Sequence, residues 1–103
     1  MADTPEAKMK KKVDKVLKEA GVWYFAPQSG IYGRSGIPDR IACVHGRMVG
    51  IEVKAPGGKY KVTALQEKTM ADMVKAGAHC VVVDSDESMG HLRDWLKWRL
   101  EQC

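Results

Sequence analysis

The sequence lacks any long apolar run. Its apolar stretches, such as Val81-Val82-Val83, span only a few residues, whereas a helix that crosses a bilayer needs roughly 20 apolar residues. The apolar core of a signal peptide is also missing after Met1. We therefore expect an intracellular protein with no membrane partner.

Cysteine is scarce as well. The chain has three cysteines, and none of them shows the CxxC spacing of a zinc ribbon. Cys43 and Cys80 stand in apolar runs, which favours buried free thiols. A zinc site that combines them with His45 and His79 is not expected, because His79 and Cys80 are adjacent in a strand and face opposite sides.

The remaining composition is that of one globular domain spanning residues 1–103. Apolar residues make up 45% and charged residues 29% of the chain, and no repeat, low-complexity tract or long linker divides it. The net charge of +4 suits a polyanion such as nucleic acid, because basic side chains displace counterions from phosphates. Solvated surface lysines explain the same charge without any partner.

Hydrophobic spacing and turn residues predict an α/β fold in the order helix, three strands, helix, strand, helix. Capping residues mark the helix starts: Thr4 before the first helix, Thr63 with Gln66 before the second, and Ser85 or Ser88 before the last. A helix between two strands implies a parallel crossover and hence a mixed sheet. The predicted helices and strands before the last helix are Pro5–Ala20, Val22–Ala26, Arg40–Val44, Arg47–Lys54, Thr63–Ala76 and His79–Val83.

Two of the predicted strands carry a further expectation. His45-Gly46 separates Arg40–Val44 from Arg47–Lys54 by the two residues of a tight antiparallel hairpin. The β-branched run His79–Val83 is typical of a strand that is buried on both faces. The glycine-rich segment from Pro27 to Pro38 predicts a loop.

The strand from Met48 to Lys54 holds the first candidate site residues. Side chains alternate between the two faces of a strand, so Val49, Ile51 and Val53 point into a core while Glu52 and Lys54 point the other way. One interpretation is a salt bridge on the solvent-exposed face of a sheet, worth about 0 to 1 kcal/mol. The other is a reactive pair, and the aspartate of the neighbouring strand favours it.

Asp39 stands at the start of that neighbouring strand, from which it can approach Glu52 across the hairpin. Two ionised carboxylates about 4 Å apart repel each other by roughly 4 kcal/mol at an effective dielectric constant near 20, unless a proton or a cation intervenes. Magnesium prefers oxygen ligands of this kind, together with waters and substrate phosphate. A nearby lysine then supplies a positive charge for the phosphate or for the attacking water.

These residues resemble the motif of the PD-(D/E)XK nucleases. Gly36-Ile37-Pro38-Asp39, then Ile51-Glu52-Val53-Lys54, then Thr63-Ala64-Leu65-Gln66 occur in the order and spacing of the virus-type replication-repair nuclease (VRR-NUC) branch, and Glu6 fills the place of an early helix glutamate. The resemblance extends from Glu6 to about Val83. It implies a restriction-endonuclease-like fold with a mixed central sheet.

The resemblance also implies roles for individual residues. Asp39 and Glu52 are expected to ligate Mg²⁺ or Mn²⁺ with the Val53 backbone carbonyl, while Lys54 positions or polarises the water that hydrolyses the phosphodiester. Glu6 and Gln66 are expected to support this catalytic site. Two local explanations stay open, because a capping box accounts for Gln66 and the helix dipole favours an acid such as Glu6 in the first turn.

Basic and aromatic residues in the flanking loops are candidates for holding the DNA backbone on either side of the cut. Each of them is equally compatible with a solvated surface position. The candidates for DNA binding are Arg34, Arg40, Lys59, Tyr60 and Lys61.

The resemblance to stand-alone proteins of this branch implies a structure-specific endonuclease that cuts branched DNA such as Holliday junctions, generally as a homodimer. An exposed Trp23, Trp95 or Trp98 would be able to anchor a dimer, although we expect at least two of these tryptophans to pack in the core. Two alternatives remain: a non-catalytic DNA-binding or assembly module on the same fold, and a nuclease for flaps, linear duplex or RNA.

Overall fold

The structure, a computed structural model, describes residues 3–28, 33–57 and 61–102 of the chain. Lys59, Tyr60 and residues 29–32 of the predicted loop from Pro27 to Pro38 lie outside the described residues. The described part is an α/β structure with three helices and a four-stranded mixed sheet, as the sequence predicts. Its elements are α1 (Pro5–Glu19), β1 (Trp23–Phe25), β2 (Arg40–Val44), β3 (Arg47–Val53), α2 (Ala64–Lys75), β4 (His79–Val83) and α3 (Asp86–Glu101).

The three helices begin at predicted capping residues. The Thr4 hydroxyl accepts a hydrogen bond from the backbone N–H of Ala7 at 3.1 Å, which satisfies a donor that the first turn of α1 leaves free. Thr63 caps α2 through a complete capping box. Ser85, rather than Ser88, is the cap of α3, and the Ser88 hydroxyl accepts the reciprocal bond from the Ser85 N–H. Local side-chain chemistry therefore fixes where each helix starts.

The sheet has the strand order β1-β2-β3-β4. Strands β1, β2 and β3 pair antiparallel, whereas β3 and β4 pair parallel, with α2 as the connection between them. The predicted hairpin between β2 and β3 is confirmed, and its turn residues His45 (φ 47°) and Gly46 (φ 81°) both have the positive φ that a two-residue turn of this kind requires. Strand β3 consequently has a neighbour on each side.

The core lies on the face of the sheet that Val49, Ile51 and Val53 share. These three side chains are 0% exposed and belong to the same buried cluster as residues of α1 and α3. Removing each such side chain from water contributes about 1.5 to 3 kcal/mol. Helix α2 covers part of the opposite face, where a Cβ on Gly50 would come within 3.0 Å of the Met73 side chain. The core members from the helices include Met9, Val13, Val16, Leu17, Met89, Leu92 and Leu96.

Two expectations about burial are wrong. Strand β4 is not buried on both faces, since His79 to Val82 are half-buried and Val83 is its one fully buried residue. The physical reason is its place at one end of the described sheet, where helices cover it incompletely. Cys43 is exposed rather than buried, and Cys80 is half-buried.

The expectation that at least two tryptophans pack in the core is also wrong. Trp23 is 67% and Trp98 50% exposed, while Trp95 is half-buried and stacks on His79 with ring centroids 4.1 Å apart. Trp23 lies on the end strand β1, where it pairs in register with Cys43, and Cys43 pairs with the exposed Met48. The three side chains form an exposed row across the sheet. Across residues 3–28, 33–57 and 61–102, no helix has both the length and the apolar character needed to cross a membrane.

Candidate active site

Asp39 directly precedes β2 and binds the end of β3. The last residue of β3 with a partner in β2 is Ile51, which pairs with Arg40. Two residues farther along, the Val53 N–H donates a hydrogen bond to Oδ2 of Asp39 at 2.8 Å. The aspartate thus takes over the donor that the antiparallel pairing leaves unused. This contact sets the Asp39 carboxylate against β3 beside Glu52.

Glu52 is buried although its side chain is charged. It is 1% exposed and lies on the face of β3 opposite to Ile51 and Val53. Neither carboxylate oxygen receives a hydrogen bond from any described residue. Nζ of Lys54, itself only 13% exposed in its side chain, lies 3.6 Å from Oε2. The pair is therefore not the solvent-exposed salt bridge that the alternating pattern also allowed.

The two carboxyl groups perturb each other strongly. Burial and the neighbouring Asp39 raise the pKa of Glu52 to about 8, against the opposing effect of Lys54. Burial also acts to raise the pKa of Asp39, but the neighbouring Glu52, the hydrogen bond from the Val53 N–H and the charge of Lys10 outweigh it and hold that pKa below its ordinary value. The raised pKa of Glu52 favours a proton on this carboxyl group near neutral pH, next to the charged Asp39. A divalent cation is able to replace that proton.

The donor set fits a hard divalent cation. Glu52 offers two buried oxygens that lack a hydrogen-bond partner among the described residues, and Asp39 adds a second carboxylate beside them. The described residues contain no group of three or more His, Cys, Asp and Glu side chains that is able to hold a metal. Mg²⁺ commonly takes one or two carboxylates and keeps several waters, whereas zinc takes three or four nitrogen or sulfur ligands. Metal ligation by the Val53 carbonyl stays a prediction.

Lys10 is a residue of the site that the sequence did not single out. Its Nζ lies 3.5 Å from Oδ1 of Asp39 and 3.4 Å from Oε2 of Glu6. In the sequence it is one of several closely spaced lysines of the first predicted helix, and the local signal is its spacing of four residues from Glu6. Glu6 thus reaches the carboxylate pair through Lys10.

Gln66 serves as a helix cap and also borders the site. Its Oε1 accepts a hydrogen bond from the Thr63 N–H at 2.9 Å, and its own N–H donates to the Thr63 hydroxyl at 3.1 Å. The capping explanation is therefore confirmed. Gln66 also lines a cavity of about 310 Å³ that Asp39, Lys10 and Arg34 share. A catalytic role for Gln66 stays a prediction.

The basic candidates differ in what they contact. Arg34 is exposed and lines the same cavity, and its contact with a phosphate stays a prediction. Arg40 instead directs Nε and Nη2 at Asp14, at 2.7 and 3.1 Å, and donates from Nη1 to the Asp39 carbonyl at 2.8 Å. Its guanidinium is engaged within the fold, which favours a positioning role for Arg40 over the expected contact with DNA. Lys61 is exposed.

Comparison with known proteins adds no relative. No protein-family model, curated protein or solved structure matches this chain. The chemistry assigned to the site is therefore argued from its own residues and their geometry.

Proposed function

We propose that this chain is a divalent-metal-dependent endodeoxyribonuclease of the VRR-NUC branch of the PD-(D/E)XK nucleases, with a restriction-endonuclease-like fold. The observation that carries the proposal is the buried Glu52 carboxylate, which has no hydrogen-bond donor among the described residues and lies beside Asp39, with Lys54 Nζ at 3.6 Å. A purely structural ion pair between Glu52 and Lys54 would not need a second carboxylate beside it, since two neighbouring carboxylates repel each other.

Each residue of the site has a distinct task in this proposal. Asp39 and Glu52 would hold Mg²⁺ or Mn²⁺, which would polarise the attacked phosphate and lower the pKa of bound water. The ammonium of Lys54 orients the attacking water and offsets negative charge that develops on the phosphate. Arg34 holds the DNA backbone at the cavity rim. The reaction needs no covalent intermediate with the protein.

Branched DNA, such as a Holliday junction, is the proposed substrate, and a homodimer inside the cell is the proposed active form. The net charge of +4 favours a polyanion. A two-fold dimer would present two active sites to a junction of similar symmetry. The exposed row of Trp23, Cys43 and Met48 offers an apolar surface of the kind found at subunit interfaces.

The test is cleavage of a substrate panel by matched variants. The substrates are a four-way junction, a flap, a linear duplex and a single-stranded RNA, each in Mg²⁺ and in Mn²⁺. We expect the wild type to cut the junction, and Glu52→Gln and Lys54→Ala to cut it at least roughly 100-fold more slowly. Glu87→Gln, which removes an exposed acid from the first turn of α3, is the control and should cut normally.

The alternatives predict different results in the same experiment. A non-catalytic DNA-binding or assembly module would bind the junction and leave every substrate intact. A nuclease for flaps, linear duplex or RNA would cut those substrates in preference to the junction. Undiminished cleavage by Lys54→Ala or Glu52→Gln would show that the proposed residues are not the catalytic ones.

A further inference from the structure

The ammonium group of Lys10 lies between two carboxylates at the edge of the candidate active site. Nζ is 3.5 Å from Asp39 Oδ1 and 3.4 Å from Glu6 Oε2, with 32% of the Lys10 side chain exposed. Both distances are those of ion pairs rather than of short hydrogen bonds. The lysine therefore neutralises Asp39 without being fixed in one geometry.

The two oxygens of Asp39 have different partners. Oδ2 accepts the hydrogen bond of the Val53 N–H, while Oδ1 faces Lys10. A divalent cation that joins Asp39 to Glu52 must therefore bind a carboxylate that already carries two contacts. Lys10 and the cation repel each other, and Coulomb's law gives an effect of roughly tenfold or more in affinity at about 5 Å, even in a water-like dielectric.

We propose that Lys10 is a displaceable counter-ion that couples cation binding to phosphate binding. It neutralises Asp39 when no divalent cation is bound, and it leaves Asp39 for a substrate phosphate when a cation arrives. The inference rests on the proposed function, because the phosphate is that of the DNA to be cut. It adds a residue and a linkage that the Asp39, Glu52 and Lys54 constellation does not contain.

Two features support the release of Lys10. Its other partner, Glu6, is four residues away on the same helix and 39% exposed in its side chain, and ion pairs of this type are weak. Lys10 also lines the same cavity as Arg34, so a freed ammonium has a phosphate-binding guanidinium as its neighbour. Binding of the cation and of the phosphate should then strengthen each other reciprocally.

The first experiment measures cation affinity without DNA. Mn²⁺ is titrated calorimetrically into the wild type, Lys10→Ala, Lys10→Arg and Lys15→Ala. We expect Lys10→Ala to bind Mn²⁺ about tenfold more tightly, because the competing charge is gone. Lys10→Arg should bind like the wild type. Lys15→Ala is the matched control, since Lys15 pairs with Glu19 at the same spacing on α1 and its loss changes the net charge equally.

The second experiment measures the linkage itself. Binding of a synthetic four-way junction is measured by fluorescence anisotropy with and without Ca²⁺, which takes the same oxygen ligands, and gels verify that the DNA stays intact. In the wild type, Ca²⁺ should strengthen DNA binding at least fivefold more than it does in Lys10→Ala. Lys15→Ala should keep the full wild-type response to Ca²⁺.

The outcomes separate this inference from the proposed function. If the wild type binds Mn²⁺ and cuts the junction while Lys10→Ala shows wild-type Mn²⁺ affinity and the same response to Ca²⁺, the counter-ion role is overturned and the nuclease assignment stands. If the wild type binds neither Mn²⁺ nor DNA, both proposals are overturned. Tighter Mn²⁺ binding by Lys10→Ala together with a weaker response to Ca²⁺ supports the coupling.

Discussion

The backbone N–H of Val53 donates a hydrogen bond to the carboxylate of Asp39 across a distance of 2.8 Å. This bond joins the residue before β2 to the last residue of β3 and holds the Asp39 carboxylate next to Glu52. The same side chain therefore completes the strand pairing and forms half of the candidate cation site. Structure and proposed chemistry depend on one contact.

Substitutions of Asp39 should separate these two roles. In Asp39→Ala the Val53 N–H loses its acceptor, which costs about 1 to 3 kcal/mol of unfolding free energy, whereas Asp39→Asn keeps an oxygen acceptor. We therefore expect Asp39→Asn to be more stable than Asp39→Ala in urea denaturation at pH 7. Both variants should lose Mn²⁺ binding in calorimetry. Equal stability of the two variants would mean that the bond to Val53 contributes little.

Glu52 should make the fold less stable as the pH rises. Its pKa in the fold is about 8, above the ordinary 4.5, so the folded state retains a proton that the unfolded state releases between these values. The stabilising contribution is full below pH 4.5 and is lost as the pH rises toward 8. The pKa of Asp39 lies below its ordinary value of 3.8, so the titration of Asp39 does not alter the stability between pH 4.5 and pH 8.

Glu52→Gln tests this pH dependence. The variant should unfold with a free energy higher than the wild type by on the order of a few kcal/mol at pH 8, and the difference should shrink as the pH falls toward 4.5. Urea denaturation at several pH values measures it, with Glu87→Gln as the exposed control. Mg²⁺ should stabilise the wild type at pH 8 and not the variant. A parallel pH dependence for wild type and variant would contradict the raised pKa.

Substitution by Met should lower the stability of the fold at Arg40 but not at Arg34. Arg40→Met removes the ion pair with Asp14 and the bond to the Asp39 carbonyl, at a cost of about 1 to 3 kcal/mol in unfolding free energy. Arg34→Met should leave stability within about 0.5 kcal/mol, because Arg34 is exposed.

DNA binding distinguishes the two arginines in the reverse sense. Arg34→Met should weaken DNA binding and reduce the dependence of log affinity on log salt concentration by about one unit, as the loss of a phosphate contact does. Arg40→Met, at a temperature where it stays folded, should keep the salt dependence of the wild type. Anisotropy titrations at several salt concentrations provide the measurement, and an unchanged slope for Arg34→Met would exclude its phosphate contact.

The exposed row of Trp23, Cys43 and Met48 should form the interface of the proposed dimer. Trp23→Ser and Met48→Ser remove apolar surface from this row, and we expect each to shift the mass in light scattering from dimer toward monomer. Trp98→Ser is the control because it removes an equally large side chain, 50% exposed, from α3. If Trp98→Ser dissociates the dimer and Trp23→Ser does not, the interface lies on α3 instead.

Much of the fold is encoded locally, and the sequence predicted that part well. Thr4, Thr63 and Ser85 cap their helices through bonds that span three residues. His45 and Gly46 close the hairpin because a two-residue turn sets the pairing of the strands beside it. The hairpin pairing also accounts for the approach of Asp39 to Glu52, since Arg40 pairs with Ile51.

Burial and distant ion pairs could not be predicted in the same way. The alternation in β3 showed which side chains share a face, but whether that face meets solvent depends on where α2 packs. The pattern therefore did not distinguish a buried Glu52 from an exposed one. The pairing of Arg40 with Asp14, 26 residues apart, likewise depends on how α1 lies against the sheet.

The sequence by itself determined the order of the elements, the helix starts and the hairpin that brings Asp39 toward Glu52, because each depends on local spacing. Tertiary packing alone decided that Glu52 is 1% exposed, that Lys10 lies between Glu6 and Asp39, and that Trp23 and Trp98 face outward. The physical reason is that desolvation and ion pairing depend on which distant elements cover a side chain, and no local pattern specifies that cover.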